Sequence, residues 1–246
     1  MTDPASHWPR LDDLVLDGAL VRFGDRVDDA ANRAAVAYAD AVQAEALPGV
    51  EEVAIGPVSV LVRIDPLASE RAVTLTRLRD LLAARDWHRA APPPGRRLWT
   101  VPASFEGDDA PQLAEAAALA GCTMAEAIST LTAEPLRVLS LGFAPGQPYL
   151  GTLPEAWNLP RQAGLTPQVP AGAITVAVRQ IVLFANPSPT GWRQVGRCGF
   201  RLYRPGAEDP FPLRPGDLVR FLSVSPAALA EAETRPDGGA VCEAAS

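Results

Sequence analysis

The chain has 246 residues, 48% of them apolar and 6% aromatic, with 22 basic and 29 acidic side chains and a formal charge of −7. Every basic side chain is an arginine, so there is no lysine for a Schiff base, a lysine nucleophile or a P-loop phosphate site. Two histidines are too few for a histidine-rich metal cage, and the acidic balance argues against general nucleic-acid binding.

A proline-rich segment at residues 90–95 marks the predicted domain boundary. Its three consecutive prolines cannot continue a helix and favour an extended spacer. We therefore predict one domain at residues 1–91 and a second at residues 96–226. Residues 227–246 are dominated by Ala, Glu and Gly and are predicted to form a disordered tail.

No stretch of the chain approaches 18 uninterrupted apolar residues, so no membrane span is predicted and the expected location is the cytoplasm. The three cysteines form no CxxC pair, and we expect them to be reduced thiols.

The first part of the chain alternates strands and helices. Asp28 and Asp29 offer capping carboxylates for the first helix. Strands are predicted at 19–23, 50–55 and 58–64, and helices at 29–45 and 75–86. The order βαββα predicts a small ferredoxin-like α+β domain with its helices on one face of an antiparallel sheet.

The second part opens with a predicted strand at 98–101 and two helices, the second preceded by the capping-box pair Thr123 and Glu126. After Leu136 the helical periodicity is lost, and short apolar runs alternate with Gly/Pro clusters. This spacing predicts a mainly-β, closed or nearly closed antiparallel barrel. Its predicted strands are 138–143, 173–178, 181–185, 200–203 and 218–224.

Charge is distributed unevenly along the chain. Residues 135–205 contain seven arginines and one carboxylate, Glu155, for a local charge of +6, whereas the remainder carries −13. The guanidinium fork binds carboxylate or phosphate bidentately, so an arginine-bearing barrel is suited to a small anion. The alternative is that these arginines lie on a solvent-exposed outer face or form ion pairs with the acidic first domain. Composition alone does not decide between an anion site and this alternative.

Three glycine- and proline-rich segments, at 142–151, 169–172 and 188–192, predict defined turns, because proline fixes φ and glycine supplies positive φ. Rigid loops at a barrel mouth can hold a ligand, and Tyr149 and Trp192 offer apolar walls with polar tips. The alternative is that the segments only turn corners. The sequence contains no GxSxG elbow, HExxH helix or glycine-rich dinucleotide turn.

The same segments resemble a known family. The chain is similar to the B component of bacterial 5-oxoprolinase, a carboxyltransferase-type barrel family also named allophanate hydrolase subunit 1 and sporulation-kinase inhibitor. The resemblance covers about residues 18–224. It is carried by motifs that occur in the family's order, namely 23–25, 47–50, 60–66, 142–151, 160–161, 169–172, Gln180, 188–192, 196–197 and 215–217.

The resemblance implies a small α+β domain followed by a cyclophilin-like barrel. It also implies two partner proteins, a C component with a related barrel and an A component, and an activity that hydrolyses 5-oxoproline to glutamate at the expense of ATP. The chain is then one part of a hetero-oligomeric enzyme and not a complete enzyme. Magnesium is compatible with such chemistry, but no ligand set for it is readable in the sequence.

On this resemblance, seven residues are expected to bind substrate or ATP. Arg161, Gln180 and Arg197 are expected to hold substrate or phosphate, and Tyr149 and Trp192 to shape the pocket. Pro148 and Gly172 complete the set. No catalytic residue and no metal ligand is assigned.

The chain departs from the family pattern at four positions. A family histidine corresponds to Leu131, and three family glycines correspond to Thr175, Val178 and Val182. If those glycines let a ligand approach, β-branched residues would narrow or close the pocket. The alternatives are therefore a non-catalytic regulatory protein of the same fold, such as a histidine-kinase inhibitor, or a component of a related allophanate or urea amidohydrolase. A free-standing hydrolase is the weakest alternative, because no nucleophile–base pair can be assembled.

Overall fold

Residues 8–14, 16–67, 70–93 and 97–245 are described by a computed structural model of the chain. The chain divides into two units, Met1–Pro94 and Gly95–Ser246. The division falls in the proline-rich segment from which the boundary was predicted. Within that segment, Pro94 and Gly95 lie outside the described residues.

The first unit is a four-stranded antiparallel sheet with two helices. Its strands are β1 (Arg10–Leu14), β2 (Gly18–Arg22), β3 (Val50–Ile55) and β4 (Ser59–Ile64), and its helices are α1 (Asp29–Glu45) and α2 (Arg71–Ala83). The sheet order is β1-β2-β4-β3, and every neighbouring pair is antiparallel.

The predicted βαββα order is present from β2 to α2, but the edge strand β1 was not predicted. Its sequence, RLDDL, alternates too little to signal a strand, and it forms by pairing with β2. In a ferredoxin-like βαββαβ domain the last strand follows the second helix. Here the edge strand beside β2 is β1, which precedes the βαββα segment in the chain. The ferredoxin-like assignment therefore remains a prediction.

The core of the first unit forms between α1, α2 and the sheet. The Asp28 carboxylate accepts a hydrogen bond from the Ala31 amide at 2.8 Å and begins α1, as the capping pattern predicts. Tyr38 lies fully buried in α1, and its hydroxyl donates to the carbonyl oxygen of Leu78 in α2 at 2.9 Å. This bond satisfies a buried polar group and joins the two helices.

The second unit contains a closed barrel of seven strands in the order β12-β9-β10-β7-β6-β13-β5, closed by pairing of β5 with β12. The barrel strands are β5 (Arg97–Ser104), β6 (Leu136–Leu141), β7 (Pro148–Gly151), β9 (Ala173–Ala177), β10 (Gln180–Leu183), β12 (Arg193–Cys198) and β13 (Leu218–Ser223). Two short strands, β8 (Thr166–Val169) and β11 (Ser188–Thr190), pair with each other outside it.

The barrel differs from the prediction in its strand directions and in which segments are strands, and residues 148–151, predicted as part of a turn, form its strand β7. It is mixed and not antiparallel, because β13 pairs with β5 in parallel. The predicted strand at 200–203 is wrong: that segment is not a strand, and Phe200 instead packs on Trp99 with ring centroids 4.9 Å apart. The strand in this region is β12, which ends just before residue 200. Its largely polar sequence, RQVGRC, lacks the apolar run from which a strand is predicted.

Two helices, α3 (Leu113–Leu119) and α4 (Met124–Ala133), pack into the main core of the barrel unit. The predicted capping box at Thr123 and Glu126 is present, with both reciprocal hydrogen bonds formed. Within the described ranges, no single helix is long and apolar enough to cross a membrane. The α3–α4 pair, bent by 89°, meets the length and composition criteria only when taken together.

The C-terminal residues are structured, which corrects the predicted disordered tail from residue 227. They form α5 (Pro226–Glu233) and β14 (Val241–Ala244). Ser225 caps α5 through the Ala228 amide, and Leu229 is fully buried. β14 pairs antiparallel with β5. An alanine- and glutamate-rich segment suits a helix, and the backbone ladder of β5 orders a strand whose own side chains are exposed.

Candidate binding cavity in the barrel unit

A cavity of about 250 Å³ lies between the barrel wall and a covering segment formed by residues 160–169 and 188–192. The wall and the loop before β7 contribute Phe143, Gln147, Tyr149, Val182 and Phe184. The covering segment contributes Arg161, Gln162, Leu165, Pro189, Thr190, Gly191 and Trp192.

Strand register decides which side chains reach the cavity. β7 and β10 pair antiparallel with Tyr149 opposite Val182. Because side chains alternate along a strand, the neighbours Leu150 and Ile181 face the main core, and Tyr149 and Val182 face the other side. The cavity therefore lies against the face of the barrel wall opposite the main core, and not at the barrel mouth as predicted.

Gln162 fixes the covering segment in place. Its backbone amide donates to the Gly191 carbonyl at 2.7 Å, and its side-chain Nε2 donates to the Trp192 carbonyl at 3.0 Å. Its Oε1 accepts from the Gln112 side chain at 2.7 Å. These bonds hold the residue next to Arg161 without any ligand.

Arg193 fixes the same segment from the other side. Its Nη1 donates to the Pro160 carbonyl at 2.6 Å, and its Nε forms an ion pair with Glu115 at 2.8 Å. The Arg193 side chain is only 8% exposed. This buried arginine therefore positions the backbone that carries Arg161.

The cavity joins one cation to aromatic walls. The rings of Tyr149 and Trp192 meet edge to face with centroids 6.2 Å apart, and the Arg161 guanidinium lies 5.5 Å from the Trp192 ring centroid. Among the described residues that line the cavity, Arg161 is the only charged one. Burial raises the pKa of the Tyr149 phenol, although the Arg161 charge and a hydrogen bond with Gln147 oppose the shift. The phenol stays protonated at neutral pH and can donate a hydrogen bond.

Most arginines of residues 135–205 are not available to a ligand. Four of the seven form ion pairs within the barrel unit: Arg179 with Glu155, Arg193 with Glu115, Arg197 with Asp109 and Glu233, and Arg204 with Asp237. Among the described residues, Arg161 and Arg201 have no carboxylate within ion-pair distance. Of these two, Arg161 lines the cavity.

The structure brings three of the seven predicted site residues together, namely Tyr149, Arg161 and Trp192. Arg197 does not join them, because its guanidinium is occupied by Asp109 and Glu233. In the sequence, Arg161 and Arg197 lie in the same arginine-rich segment and cannot be distinguished. Only the folded chain shows that carboxylates occupy Arg197.

Pro148, Gly172 and Gln180 also lie outside the cavity lining. Pro148 is buried in the β6–β7 ladder opposite Leu141. Gln180 shares the outward side of β10 with Val182, is 6% exposed, and its Nε2 has no hydrogen-bond partner among the residues that the structure describes.

Gly172 serves the backbone. It has φ +78°, its amide donates to the Phe184 carbonyl at 2.8 Å, and its carbonyl accepts from the Cys198 amide at 2.9 Å. A Cβ at this position would overlap the Cys198 carbonyl oxygen. The residue thus lets two backbone segments approach each other.

Sequence reasoning missed the polar lining residues Gln147, Gln162 and Thr190. Gln147 lies inside the glycine- and proline-rich motif at 142–151, and Gln162 directly follows the predicted site residue Arg161. Both residues were therefore close to features that the sequence had already marked as a candidate site. Their roles depend on burial and on hydrogen bonds across the chain, as between Gln162 and Gln112, which no local pattern reveals.

The four departures from the family pattern have different surroundings. Leu131 is buried in the main core and does not line the cavity. Thr175 is buried, and its hydroxyl donates to the Val182 carbonyl at 3.3 Å. Val182 forms part of the cavity wall, so it is the one departure that takes up space there.

Val178 begins a turn in which it and Arg179 have positive φ, +43° and +65°. This backbone region is costly for a β-branched residue. We expect Val178→Gly to raise the free energy of unfolding by about 1 kcal/mol. Urea denaturation measures the change, and the exposed Val241→Gly serves as the control. A loss of stability in Val178→Gly would show that the valine side chain supports the turn.

Within the described ranges, no group of three or more His, Cys, Asp or Glu side chains is placed to hold a metal ion.

Residues 9–213 match the family described as "Carboxyltransferase domain, subdomain C and D". A 5-oxoprolinase B subunit from Bacillus subtilis is 28% identical over 220 residues, covering 84% of this chain and 89% of the relative. A protein of the same name from Escherichia coli O157:H7 is 32% identical over 178 residues, covering 72% and 77%.

Solved structures share the fold. The crystal structure of TTHA0988 is 34% identical with a TM-score of 0.71, and the match covers 85% of this chain but 40% of that one. The Kluyveromyces lactis urea amidolyase has a TM-score of 0.77 at 17% identity, covering 93% of this chain and 16% of that one, and this likeness shows the fold alone.

Proposed function

Because the chain belongs to the carboxyltransferase-domain family, subdomains C and D, we propose that it is the B component of an ATP-dependent 5-oxoprolinase complex. The complex hydrolyses 5-oxoproline to glutamate together with a C component that carries a related barrel and an A component. The proposal rests on the cavity whose covering segment is fixed by Gln162 and Arg193. Its lining includes Arg161, which has no carboxylate partner among the described residues. Such a cavity binds a small anion, while no nucleophile–base pair lines it. It therefore contributes part of a site that partners complete.

We propose that the closed barrel of the second unit is the cyclophilin-like barrel of the family, and that the first unit is a ferredoxin-like domain with its edge strand on the N-terminal side. The cytoplasm, where ATP is available, is the proposed location of the complex.

The chemistry explains why a separate binding component is useful. ATP first phosphorylates the lactam oxygen and releases ADP. Water then adds to the ring carbonyl carbon and the C–N bond breaks, with the nitrogen taking up a proton, and a second water hydrolyses the resulting acyl phosphate to glutamate and inorganic phosphate. This route needs cations and hydrogen-bond donors around the developing charge. In this chain the Tyr149 hydroxyl can donate a hydrogen bond to the lactam oxygen, and Arg161 can hold the substrate carboxylate, so the cations around the phosphate are left to the partner components. No step is assigned to magnesium, for which the described residues offer no ligand set.

The rim of the cavity supports a partner that closes over it. Phe143 and Leu165 line the cavity and are 76% and 70% exposed. Large apolar side chains with this exposure beside a polar rim are typical of protein–protein contacts. We propose that the C component covers these two side chains.

Reconstitution tests the proposed function. We expect ATP hydrolysis that depends on 5-oxoproline and on the presence of this chain together with the A and C components. The double variant Phe143→Ser/Leu165→Ser should reduce assembly at least tenfold without changing stability, and Leu67→Ser, at an exposed leucine of the first unit, is the matched control. Full turnover by the A and C components alone would reject the proposal.

A non-catalytic regulatory protein of the same fold is the second candidate, because Val182 occupies part of the cavity where the family has glycine. The reconstituted complex separates the two candidates. A complex that turns over only after Val182→Gly would favour the regulatory protein. Substitution of allophanate for 5-oxoproline in the same assay tests the related amidohydrolase.

A further inference from the structure

We infer that the cavity binds the carboxylate of a small, singly charged amide substrate and does not bind the phosphates of ATP. This inference rests on the proposed function and names which of its two substrates this chain holds. The proposed pose places the substrate carboxylate on Arg161 and its compact ring between Tyr149 and Trp192.

The charge of the cavity matches one carboxylate. Of the lining residues in the part of the chain that the structure describes, Arg161 alone is charged, and none is a carboxylate that would compete for the guanidinium. A planar carboxylate offers two oxygens to the guanidinium fork and neutralises it with one charge. A triphosphate would bring several negative charges against one arginine and apolar walls, and the excess charge would remain uncompensated.

The remaining polar groups of the cavity also favour a ligand in which a small, uncharged amide group is attached to the carboxylate. Both Gln162 side-chain atoms are occupied by protein partners, so this residue forms a wall and does not bind the ligand. The Thr190 hydroxyl oxygen accepts from the Trp192 amide at 3.0 Å, which leaves its proton free to donate. Tyr149 and Thr190 thus offer two hydroxyl donors for the two lone pairs of a lactam carbonyl oxygen.

The size of the cavity gives the same answer. Its volume of about 250 Å³ lies below the range of roughly 300–1,000 Å³ that accepts drug-sized ligands. A five-membered lactam with one carboxylate is far smaller than a nucleotide. The bonds of Gln162 and Arg193 fix the backbone on both sides of Arg161 before binding, which limits the backbone entropy lost when the anion arrives.

The first measurement is calorimetric titration of the isolated chain with 5-oxoproline, 2-pyrrolidone, inorganic phosphate and ATP. 2-Pyrrolidone keeps the lactam and lacks the carboxylate. We expect 5-oxoproline to bind at least tenfold more tightly than the other three. Absence of 5-oxoproline binding, or equal binding by ATP or phosphate, would overturn the inference.

Variants then locate the binding site. Arg161→Gln should weaken 5-oxoproline binding about 10- to 100-fold, since a charge-assisted hydrogen bond contributes about 1.5–3 kcal/mol. Arg201→Gln removes another arginine that has no carboxylate partner among the described residues but does not line this cavity, and it should bind as the wild type does. Unchanged binding by Arg161→Gln would also overturn the inference.

The inference and the proposed function fail separately. Selective binding of 5-oxoproline by the isolated chain, without turnover by the reconstituted complex, would reject the function and keep the site. Turnover by the complex with an unchanged KM for 5-oxoproline in Arg161→Gln would keep the function and reject the site.

Discussion

Gly172→Ala is expected to lower the free energy of unfolding by about 2–5 kcal/mol. The residue has φ +78°, a region that costs an L-residue roughly 1–2 kcal/mol. The added methyl group would overlap the Cys198 carbonyl oxygen and lie 3.1 Å from its carbonyl carbon. Forcing those backbones apart strains their mutual hydrogen bond and adds a further ~1–3 kcal/mol. Urea denaturation measures the total.

Two glycines serve as matched controls for this substitution. Gly121 has φ +72° with nothing within 4 Å of an added Cβ, so Gly121→Ala isolates the backbone cost of about 1 kcal/mol. Gly164 has open space and no positive φ, so Gly164→Ala should change stability by less than about 0.5 kcal/mol. Equal losses at Gly172 and Gly121 would show that the contact with Cys198 contributes nothing.

Arg197→Gln is expected to destabilise the barrel unit by about 2–3 kcal/mol. Arg197 bridges Asp109, at 2.5 Å, and Glu233, whose side chains are 12% and 33% exposed. Removing one partner of a fully buried ion pair costs about 3–5 kcal/mol because the other charge remains buried. The partial exposure of the residues here reduces that figure. The bridge also joins the loop before α3 to α5, so its loss should increase hydrogen exchange in α5.

Arg161→Gln is the control for this substitution, because no carboxylate among the described residues depends on Arg161. Its free energy of unfolding should stay within about 0.5 kcal/mol of the wild type. The two variants therefore separate a structural arginine from one available to a ligand. If Arg197→Gln left the free energy of unfolding unchanged and Arg161→Gln lowered it, Arg161 would be the structural arginine and these roles would be reversed.

Local sequence signals predicted the elements that have their own caps or periodicity. Asp28 and Thr123 begin helices where the capping patterns placed them, because a side chain and an amide three residues apart interact before any tertiary contact forms. Strands β1, β12 and β14 were missed because they are stabilised by pairing with a neighbouring strand and their side chains show little apolar alternation. The short strands β7, β8 and β11 were also missed, because they lie within or beside segments rich in glycine and proline that predict turns.

The candidate site was predictable only in part for a related reason. Tyr149, Arg161 and Trp192 came from rigid-turn motifs and from residue chemistry, and the fold brings them to one cavity. The sequence could not separate Arg161 from Arg197, because the carboxylate partners of Arg197 lie 88 residues before it and 36 residues after it. Long-range ion pairing decides which arginine is free, and no local pattern encodes it.

The KM for 5-oxoproline of the reconstituted complex, compared between the wild-type chain and Arg161→Gln, directly tests whether Arg161 binds the substrate carboxylate. We predict a KM about 10- to 100-fold higher in the variant, because the carboxylate loses its charged partner in the ground state and in the transition state alike. The KM for ATP and the stability of the chain should not change. An unchanged KM for 5-oxoproline, or a raised KM for ATP alone, would show that Arg161 does not bind the substrate carboxylate.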